Sequence, residues 1–300
     1  MHWAMIFIDG FGLGAEENNP VVSAKTPLID SLLGGHLLWG NRIIKQDEVV
    51  LRPIDASLGV PGVPQSATGQ TTLWTGVNAA KVLGYHLNAY PNEILAKIIS
   101  EKSIFKQVKE LGKHGMFANA FTDTYDDLIK QGKRRHTAST LSALAGEVML
   151  RRIPNLREGK AVYRDITNLS LQEMGEAIPI ISPFKAGENF GHITLEYDFT
   201  LYEFFQTDVL GHKQRWAEAI RVVEQLDEFL AGFMSVVKRH EVGWILTSDH
   251  GNIEDFSIKG HTNNCVPALC WSANSSVNWP EWSTLEEITP GLLELMHKIV

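Results

Sequence analysis

The stretch W-I-L-T-S-D-H-G-N, residues 244–252, decides the fold of this chain. Residues 242–246 are an apolar, β-prone run that predicts a buried strand, and the run stops at Asp249 and His250 before a Gly-Asn turn. Ligand sites in open α/β sheets lie beyond the carboxyl ends of strands, so this carboxylate and imidazole can reach one metal ion. The alternative is that Asp249 caps a turn, and the dipeptide alone does not decide between them.

The composition indicates an ordinary soluble globular protein. The 300 residues are 44% hydrophobic and 21% charged, and the formal net charge is −8. A nucleic-acid partner is disfavoured because such proteins carry a basic excess. The sequence has no apolar run of the roughly 20 residues that a membrane helix needs, and its start lacks the regions of a signal peptide. We therefore expect a cytoplasmic protein with neither a nucleic-acid nor a membrane partner.

Helical and strand-like patterns alternate along the chain, which is typical of α/β layers. A short helix is predicted over residues 25–33, with Thr26 as its N-cap and Pro27 in its first turn. Further helices are predicted over residues 93–111, 139–150 and 213–240, and a strand over residues 116–121.

A second strand with an acidic residue at its end lies near the start of the chain. Residues 4–8 are apolar and end at Asp9, which G-F-G-L-G follows. This spacing departs from the dinucleotide-binding pattern G-x-G-x-x-G, so we reject that interpretation. Asp9 is equally compatible with a turn residue and with a metal ligand.

Small hydroxyl residues crowd the segment Q-S-A-T-G-Q-T-T-L-W-T-G, which follows a loop rich in proline and glycine. In one interpretation Ser66 or Thr68 caps a helix. In the other, a hydroxyl nucleophile lies at the helix N-terminus, where the helix dipole favours an alkoxide and a bound phosphate. The segment alone leaves both interpretations open.

Two further motifs bring histidines close to a carboxylate. Residues 199–205 are predicted to form a core strand, and the sequence Q-T-D-V-L-G-H follows it, with Asp208 and His212 four positions apart. His261 lies in a loop before a last apolar strand at residues 267–271. Three carboxylates and three imidazoles form a mixed oxygen and nitrogen set that suits two divalent ions, Mn or Zn. Two such ions can clamp an in-line phosphoryl displacement and activate a hydroxyl. The candidate set is Asp9, Ser66, Asp208, His212, Asp249, His250 and His261.

The region 122–195 is more polar than its flanks and is predicted to be a small inserted cap. The core would then comprise residues 1–121 and 196–300. The cap contains K-Q-G-K-R-R-H, whose Lys133, Arg134 and Arg135 are candidates for contacts with an anionic substrate. A solvated basic turn is the favoured alternative, since charge runs usually lie on the surface.

The motifs together resemble the alkaline phosphatase superfamily of binuclear metalloenzymes, most closely its branch of cofactor-independent phosphoglycerate mutase and phosphopentomutase. I-D-G-F-G is similar to the first metal motif, and Q-S-A-T-G-Q to the nucleophile segment N-S-E-V-G-H. T-D-V-L-G-H resembles D-x-x-G-H, S-D-H-G-N matches directly, and H-T-N-N-C-V-P resembles H-T-x-N-x-V-P. The resemblance implies an α/β fold: a three-layer αβα core with a central, mostly parallel sheet and a small inserted lid.

The resemblance also implies a role for each candidate residue. Asp9, Ser66, Asp249 and His250 would surround one divalent metal ion, and Asp208, His212 and His261 would hold the second. Ser66 would attack the phosphorus of a small phosphorylated substrate and become a transient phosphoserine.

Departures from the mutase pattern favour hydrolysis. Gln70 replaces the histidine of the mutase nucleophile segment, and the arginine- and aspartate-rich motifs of the large mutase cap have no counterpart. A mutase must retain its dephosphorylated intermediate, whereas a hydrolase only needs water to reach phosphoserine. We therefore expect a phosphohydrolase, with a phosphomutase or a non-catalytic metal- and phosphate-binding relative as alternatives. The sulfatase branch is disfavoured, because the segment from Ser66 lacks C/S-x-P-x-R.

Overall fold

The computed structural model describes residues 1–38, 44–46 and 48–298. Its strands are β1 (His2–Ile8), β2 (Ile44–Gln46), β3 (Val49–Ile54), β4 (Gly115–Phe117), β5 (Ala120–Phe121), β6 (Arg151–Arg152), β7 (Phe199–Phe204), β8 (Val242–Thr247) and β9 (Val266–Ser272). The helices in the first half are α1 (Pro20–Ser23), α2 (Pro27–Leu33), α3 (Ser66–Thr75), α4 (Ala79–Leu83), α5 (Glu93–Lys102), α6 (Ile104–Glu110), α7 (Asp123–Lys130) and α8 (Ala138–Ala145). They continue with α9 (Ile153–Arg157), α10 (Leu169–Glu173), α11 (Pro183–Glu196), α12 (Gln206–Lys213), α13 (Trp216–Val237), a 3₁₀ turn (Leu285–Glu287) and α14 (Ile288–Lys298).

Seven of these strands form the central sheet, in the order β2-β3-β9-β8-β1-β7-β4. Strands β8, β1, β7 and β4 are mutually parallel, whereas β9 is antiparallel to both β8 and β3. The strands at the centre of the sheet are buried along almost their whole length, as both faces of a parallel sheet must be. The predicted, mostly parallel sheet is confirmed.

Helices cover both faces of this sheet. Phe7 of β1 packs edge-on against Trp74 of α3, with 5.0 Å between ring centroids. Tyr202 of β7 is in register with Ile6, the neighbour of Phe7, and packs on Phe229 of α13 at 5.0 Å. Because successive strand residues point to opposite faces, α3 and α13 lie on opposite sides of the sheet. The three-layer αβα arrangement is therefore confirmed.

Several element boundaries differ from those predicted. The short helix α2 is correct, with Thr26 at its N-cap. The helix predicted over residues 93–111 is divided at Ser103, whose side chain accepts a hydrogen bond from Lys106 N and starts a new helix, α6. The helix predicted over residues 213–240 starts only at residue 216, because Gln214, in the left-handed conformation at φ 50°, ends the separate helix α12.

Two other predicted elements are shorter than expected. The strand expected over residues 116–121 is replaced by β4 in the central sheet and β5, which pairs with β6 in a separate two-stranded sheet. The helix expected over residues 139–150 ends at Ala145, before Gly146. A Cβ at Gly146 would approach Phe105 Cβ to 2.4 Å, so glycine permits this close contact at the helix end.

Two helices from the range assigned to an inserted cap pack against core helices. Helix α8 contacts α3, α5 and α6, and α11 packs along α13. A Cβ at Gly187 of α11 would come within 1.9 Å of the backbone oxygen of Phe229, so glycine allows the close approach of α11 and α13. A small separate hydrophobic cluster joins Ala120 of β5 to five residues of the segment between α8 and α11, namely Leu156, Ala161, Tyr163, Leu171 and Ile178. The division into residues 1–121 and 196–300 with a cap at 122–195 stays a prediction.

In the parts of the chain that the structure describes, none of the helices has the length and apolar character required to cross a membrane.

Candidate metal centre

Three neighbouring parallel strands supply the acidic residues of the site. Asp9 directly follows β1, and Asp249 lies two residues beyond the end of β8. Asp208 is on α12, which begins two residues after β7. Since β8, β1 and β7 are adjacent and parallel, their carboxyl ends meet at one edge of the sheet and the carboxylates converge there.

Three of the candidate residues lie on helices. Asp208 and His212 are both on α12, four residues apart, so they share one face of the helix. Ser66 is the first residue of α3. The proposed capping role of Ser66 or Thr68 is wrong, because Gln65 is the N-cap and Thr68 Oγ1 donates to Gln65 O.

One group of candidate metal ligands comprises Asp208, His212 and His261, whose ligand atoms all lie within 4.8 Å of one another. The Nε2 atoms of the two histidines are 3.1 Å apart. Asp208 Oδ2 is 3.4 Å from His212 Nε2, and its Oδ1 is 3.5 Å from His261 Nε2. The facing nitrogens and the carboxylate thus surround one point, as the ligands of a single cation would.

A second group, formed by Asp9, Asp208 and His250, shares Asp208 with the first. His250 Nε2 lies 3.3 Å from Asp9 Oδ1 and 3.6 Å from Asp249 Oδ2. The His250 ring stacks on His261 with 3.6 Å between centroids. The two contiguous groups therefore contain five candidate ligands, with Asp249 beside them, as two neighbouring metal ions would require.

Ser66 completes the set of seven. Its Oγ lies 3.0 Å from His250 Nε2, and the side chain is buried. Ser66 starts a ten-residue helix, whose N-terminal dipole favours negative charge at this hydroxyl and on a bound phosphate.

Backbone carbonyls orient two of the imidazoles. His261 Nδ1 is 2.8 Å from Pro64 O, and His250 Nδ1 is 3.2 Å from Gly251 O. A ring nitrogen facing a carbonyl oxygen must donate its hydrogen, so Nδ1 carries the proton in both rings. Nε2 of His250 and His261 therefore faces the carboxylates, and it is the nitrogen that each ring would offer to a bound metal ion.

The carboxylates are crowded and incompletely paired. Asp249 is fully buried, and among the described residues neither Asp9 Oδ1 nor Asp249 Oδ1 has a hydrogen-bond partner. Burial and then the charge of Asp249 raise the pKa of Asp9 to about 7, and burial also raises the pKa of Asp249. Within the described residues, the ion pairs of Asp9, Asp208 and Asp249 involve only histidines.

The interactions between the carboxylates and the histidines also shift the pKa values of His250 and Asp208. Burial acts to lower the pKa of His250, but the charges of Asp249 and Asp9 outweigh it and raise that pKa to about 10. Burial acts to raise the pKa of Asp208, but hydrogen bonds from His212 and His261 hold it far below its ordinary value. The site therefore attracts positive charge. Its orphaned carboxylate oxygens and directed imidazole nitrogens fit divalent ions such as Mn or Zn.

Gln70, which departs from the mutase pattern, connects two of the carboxylates. Its Nε2 donates to Asp249 Oδ2 at 3.1 Å and lies 3.4 Å from Asp9 Oδ2. Ser66 and Gln70 are four residues apart on α3 and share one face. Between them, Gly69 permits a close approach, because a Cβ there would come within 2.8 Å of the backbone oxygen of Asp249.

A cavity of about 320 Å³ opens above the cluster. Its floor includes Asp9, Ser66, Gln70 and Asp208. Its walls carry five aromatic side chains and two arginines, namely Tyr90, Phe121, Tyr125, Tyr163, Phe205, Arg134 and Arg164. A cavity with apolar walls and a few convergent polar groups is typical of a small-molecule site.

Of the three basic residues predicted near the substrate, only Arg134 lines this cavity. Lys133 and Arg135 are exposed outside it. Arg135 instead lies over the ring of Tyr90, 4.8 Å from the centroid. The solvated-turn interpretation is therefore correct for Lys133 and Arg135.

Two cavity residues were missed in the sequence. Arg164 lines the wall, and its buried Nε has no hydrogen-bond partner in the part of the chain that the structure describes. Glu203 is buried within β7, accepts a 2.6 Å hydrogen bond from Ser139 Oγ, and has its pKa raised to about 7, mainly by burial. A lone carboxylate inside the apolar run F-T-L-Y-E-F-F was a usable signal for Glu203. Arg164, in A-V-Y-R-D-I-T-N, had no comparable signal.

Comparisons with known proteins agree with this geometry. Residues 188–298 match the family model of the metalloenzyme superfamily. The 2,3-bisphosphoglycerate-independent phosphoglycerate mutase of Mycoplasma genitalium is 31% identical over 107 residues, which is 34% of this chain and 21% of that protein. The enzyme of the same name from Vibrio atlanticus is 31% identical over 142 residues, 45% of this chain and 26% of the relative. The matched segment thus spans only about a fifth to a quarter of these relatives.

Solved structures share the fold across the whole chain. The PH0037 protein of Pyrococcus horikoshii has a TM-score of 0.61 at 15% identity, covering 100% of this chain and 97% of that one. Alkaline phosphatase from the Antarctic bacterium TAB5 has a TM-score of 0.53 at 12% identity, with 98% of each chain covered. Phosphoglycerate mutase from Leishmania mexicana has a TM-score of 0.52 at 13% identity, covering 99% and 95%.

The chain has an α/β fold like that of alkaline phosphatase, and its residues 188–298 match the metalloenzyme superfamily. The resemblance to the alkaline phosphatase superfamily, and to its cofactor-independent phosphoglycerate mutase branch, is confirmed.

Proposed function

We propose that this protein is a metal-dependent phosphoryl-transfer enzyme that hydrolyses a small phosphomonoester through a phosphoserine at Ser66. The contact between Ser66 Oγ and His250 Nε2, 3.0 Å apart at the floor of the cavity, carries the proposal. It puts a hydroxyl nucleophile directly beside the candidate ligand groups.

We assign the candidate ligands to two divalent ions. Asp9, Ser66, Asp249 and His250 would hold one divalent ion, and Asp208, His212 and His261 the other. We propose Mn or Zn, because the set mixes carboxylate oxygen with imidazole nitrogen. The ions would supply positive charge that favours the alkoxide form of Ser66 and neutralises the phosphoryl oxygens.

The chemistry proceeds in two displacements on phosphorus. In the first, Ser66 loses its hydroxyl proton to water, its Oγ forms a bond to phosphorus, the bond to the ester oxygen breaks, and the leaving alkoxide takes up a proton from water. In the second, water attacks the phosphoserine, the bond between phosphorus and Ser66 Oγ breaks, a proton of that water passes to Oγ, and inorganic phosphate is released. Arg134 and Arg164 line the same cavity and are suited to the anionic oxygens of the substrate.

Access of water supports hydrolysis over mutase activity. The side chain of His212 is 47% exposed, so solvent reaches one edge of the cluster. The lid that we propose is the predicted cap, residues 122–195, and it is small. The curated relatives are named as mutases, so a phosphomutase is the second candidate. A non-catalytic metal- and phosphate-binding relative is the third.

The test starts from chelator-stripped protein reloaded with Mn or Zn. Free phosphate is measured with a panel of phosphomonoesters that includes 3-phosphoglycerate and pentose phosphates. We expect metal-dependent release that disappears in Ser66→Ala and persists in Ser276→Ala, an exposed serine used as the control.

Three other results would each count against the proposal. Retained turnover in Ser66→Ala would refute the nucleophile. Isomerised product without free phosphate would identify a mutase. Tight metal binding without any turnover would favour the non-catalytic relative.

A further inference from the structure

Glu254 is a fully buried carboxylate close to the candidate metal centre. It accepts hydrogen bonds from Gly12 N at 2.9 Å, Asn252 N at 2.7 Å and Asn264 Nδ2 at 3.0 Å, and a fourth from Thr262 Oγ1. Four donors satisfy a buried carboxylate about as fully as its geometry allows. Such charge-assisted hydrogen bonds are roughly twice as strong as those between neutral groups.

Three of these donors belong to segments that carry candidate ligands. Gly12 lies three residues after Asp9, in the loop that leaves β1. Asn252 lies two residues after His250, and Thr262 is the residue after His261. One carboxylate therefore joins the three loops that present Asp9, His250 and His261.

Asn252 extends this network to a fourth ligand. Its backbone N–H is bound by Glu254, while its side-chain Nδ2 donates to Asp208 Oδ1 at 2.6 Å. Asp208 is the residue that the two ligand groups share. Glu254 thus helps to hold Asn252 in place, and Asn252 in turn holds the carboxylate of Asp208, which both ligand groups share.

Glycines allow the loops to approach Glu254 this closely. A Cβ at Gly12 would lie 2.5 Å from Glu254 Oε1, and one at Gly251 would lie 2.2 Å from the same atom. Any side chain at either position would displace the carboxylate or the loop. The glycines near Asp9 and His250 therefore leave the space that the carboxylate of Glu254 occupies.

We propose that Glu254 is a positioning residue that sets the geometry of both ligand groups, an inference that rests on the proposed metal centre. Glu254 is not among the residues that line the cavity, and within the described residues its hydrogen bonds reach no candidate ligand side chain, so it acts through the loops and through Asn252. Groups that orient metal ligands from behind typically change metal affinity about 10- to 100-fold when they are removed.

The test compares Glu254→Gln with Asp227→Asn. Gln has the same size as Glu, but its NH₂ group replaces one acceptor oxygen. That NH₂ group would face the hydrogen-bond donors of the loops, so hydrogen bonds would be lost. Asp227 is a matched control because it is also a buried carboxylate, accepting hydrogen bonds from Leu28 N and Ile29 N at the start of α2. Both variants lose a buried acceptor, but only Glu254 is connected to the candidate ligands.

Two measurements are made on chelator-stripped protein. The affinity for Mn²⁺ and Co²⁺ is measured by competition with a fluorescent chelator, and the visible absorption spectrum of the Co²⁺-loaded protein reports the coordination geometry. We expect Glu254→Gln to bind about 10- to 100-fold more weakly than wild type, with a changed Co²⁺ spectrum. Asp227→Asn should keep the wild-type affinity and spectrum.

Thr262→Val is the second variant, used if Glu254→Gln does not fold. It removes one donor and keeps the shape of the side chain, so we expect a smaller loss of affinity of about 3- to 10-fold. Wild-type affinity and spectrum in a folded Glu254→Gln, or in Thr262→Val when that variant alone folds, would overturn the inference. Wild-type protein that binds neither ion would overturn the metal centre and this inference together.

Discussion

Replacing Glu203 by Gln should stabilise the metal-free protein, and only above acidic pH. Glu203 is buried within β7, and burial is the main reason why its pKa is raised from 4.5 to about 7, with the charge of Asp9 acting in the same direction. Ionising this carboxyl in the folded protein therefore costs free energy. Gln is neutral at every pH, and its oxygen can still accept the hydrogen bond from Ser139.

The sign and size follow from the two pKa values. Below pH 4.5 Glu203 is protonated in both the folded and the unfolded chain, so its titration contributes nothing. Between pH 4.5 and 7 the unfolded chain loses the proton while the folded chain keeps it, so wild-type stability falls as the pH rises. A pKa difference of this size corresponds to about 3 kcal/mol at full effect, reached above pH 7.

The assay is urea unfolding of chelator-stripped protein from pH 4.5 to 8.5, followed by the fluorescence of the buried tryptophans. The stability of Glu203→Gln minus that of wild type should increase by about 3 kcal/mol across this range. Glu147→Gln, at an exposed position, should show no such increase. A difference that is constant with pH, or that increases toward acid, would refute the assignment of a raised pKa to Glu203.

Three further predictions address the site. Arg164→Met should raise the KM for a phosphomonoester roughly tenfold, in steady-state phosphate release, by removing a charged contact to the anion, whereas Arg135→Met outside the cavity should not. Gly69→Ala should reduce kcat/KM by about 10- to 100-fold, because its Cβ would force α3 away from Asp249. Gly35→Ala, with open space around it, is the control, and equal activity in the two variants would contradict this reasoning. Adding Mn²⁺ at 100 times its Kd to the chelator-stripped protein should raise the free energy of unfolding by about 2.7 kcal/mol. This corresponds to a rise in Tm of roughly 5–10 °C. An unchanged Tm would argue against a metal centre in the folded protein.

The sequence was sufficient to predict the layer architecture. The central strands are mostly apolar runs followed by polar residues, and this pattern reflects burial on both faces of a parallel sheet. The ends of these runs therefore indicate Asp9, Asp249 and His250 as candidate ligands from the sequence alone.

Helix ends were less predictable because tertiary contacts decide them. Ser103 and Gln214 interrupt helices whose amphipathic pattern continues across the break, so the periodicity alone predicted single helices. The packing of α8 and α11 against other helices was equally hard to predict. Their packing against core helices depends on contacts such as Gly187 against Phe229, which the local sequence does not encode.

The roles of residues that support the candidate ligands or line the cavity wall were the hardest to predict. Glu254 resembles a surface acid in the sequence, and only the folded chain brings Gly12 and Thr262 to its carboxylate. Arg164 is similar, because its place in the cavity wall depends on how the segment between α8 and α11 folds back over the sheet. Sequence patterns reveal positions on elements, but not which loops converge from opposite ends of the chain.

The most direct test of the central claim is to look for the covalent intermediate itself. Metal-loaded protein is mixed with a phosphomonoester that it turns over, quenched in acid within the first turnovers, digested and analysed by mass spectrometry. The proposed mechanism predicts phosphate on the peptide that contains Ser66, located on that residue, and no labelling in Ser66→Ala or in chelator-treated protein. Turnover with phosphate on another residue, or with none on Ser66 at any quench time, would contradict it.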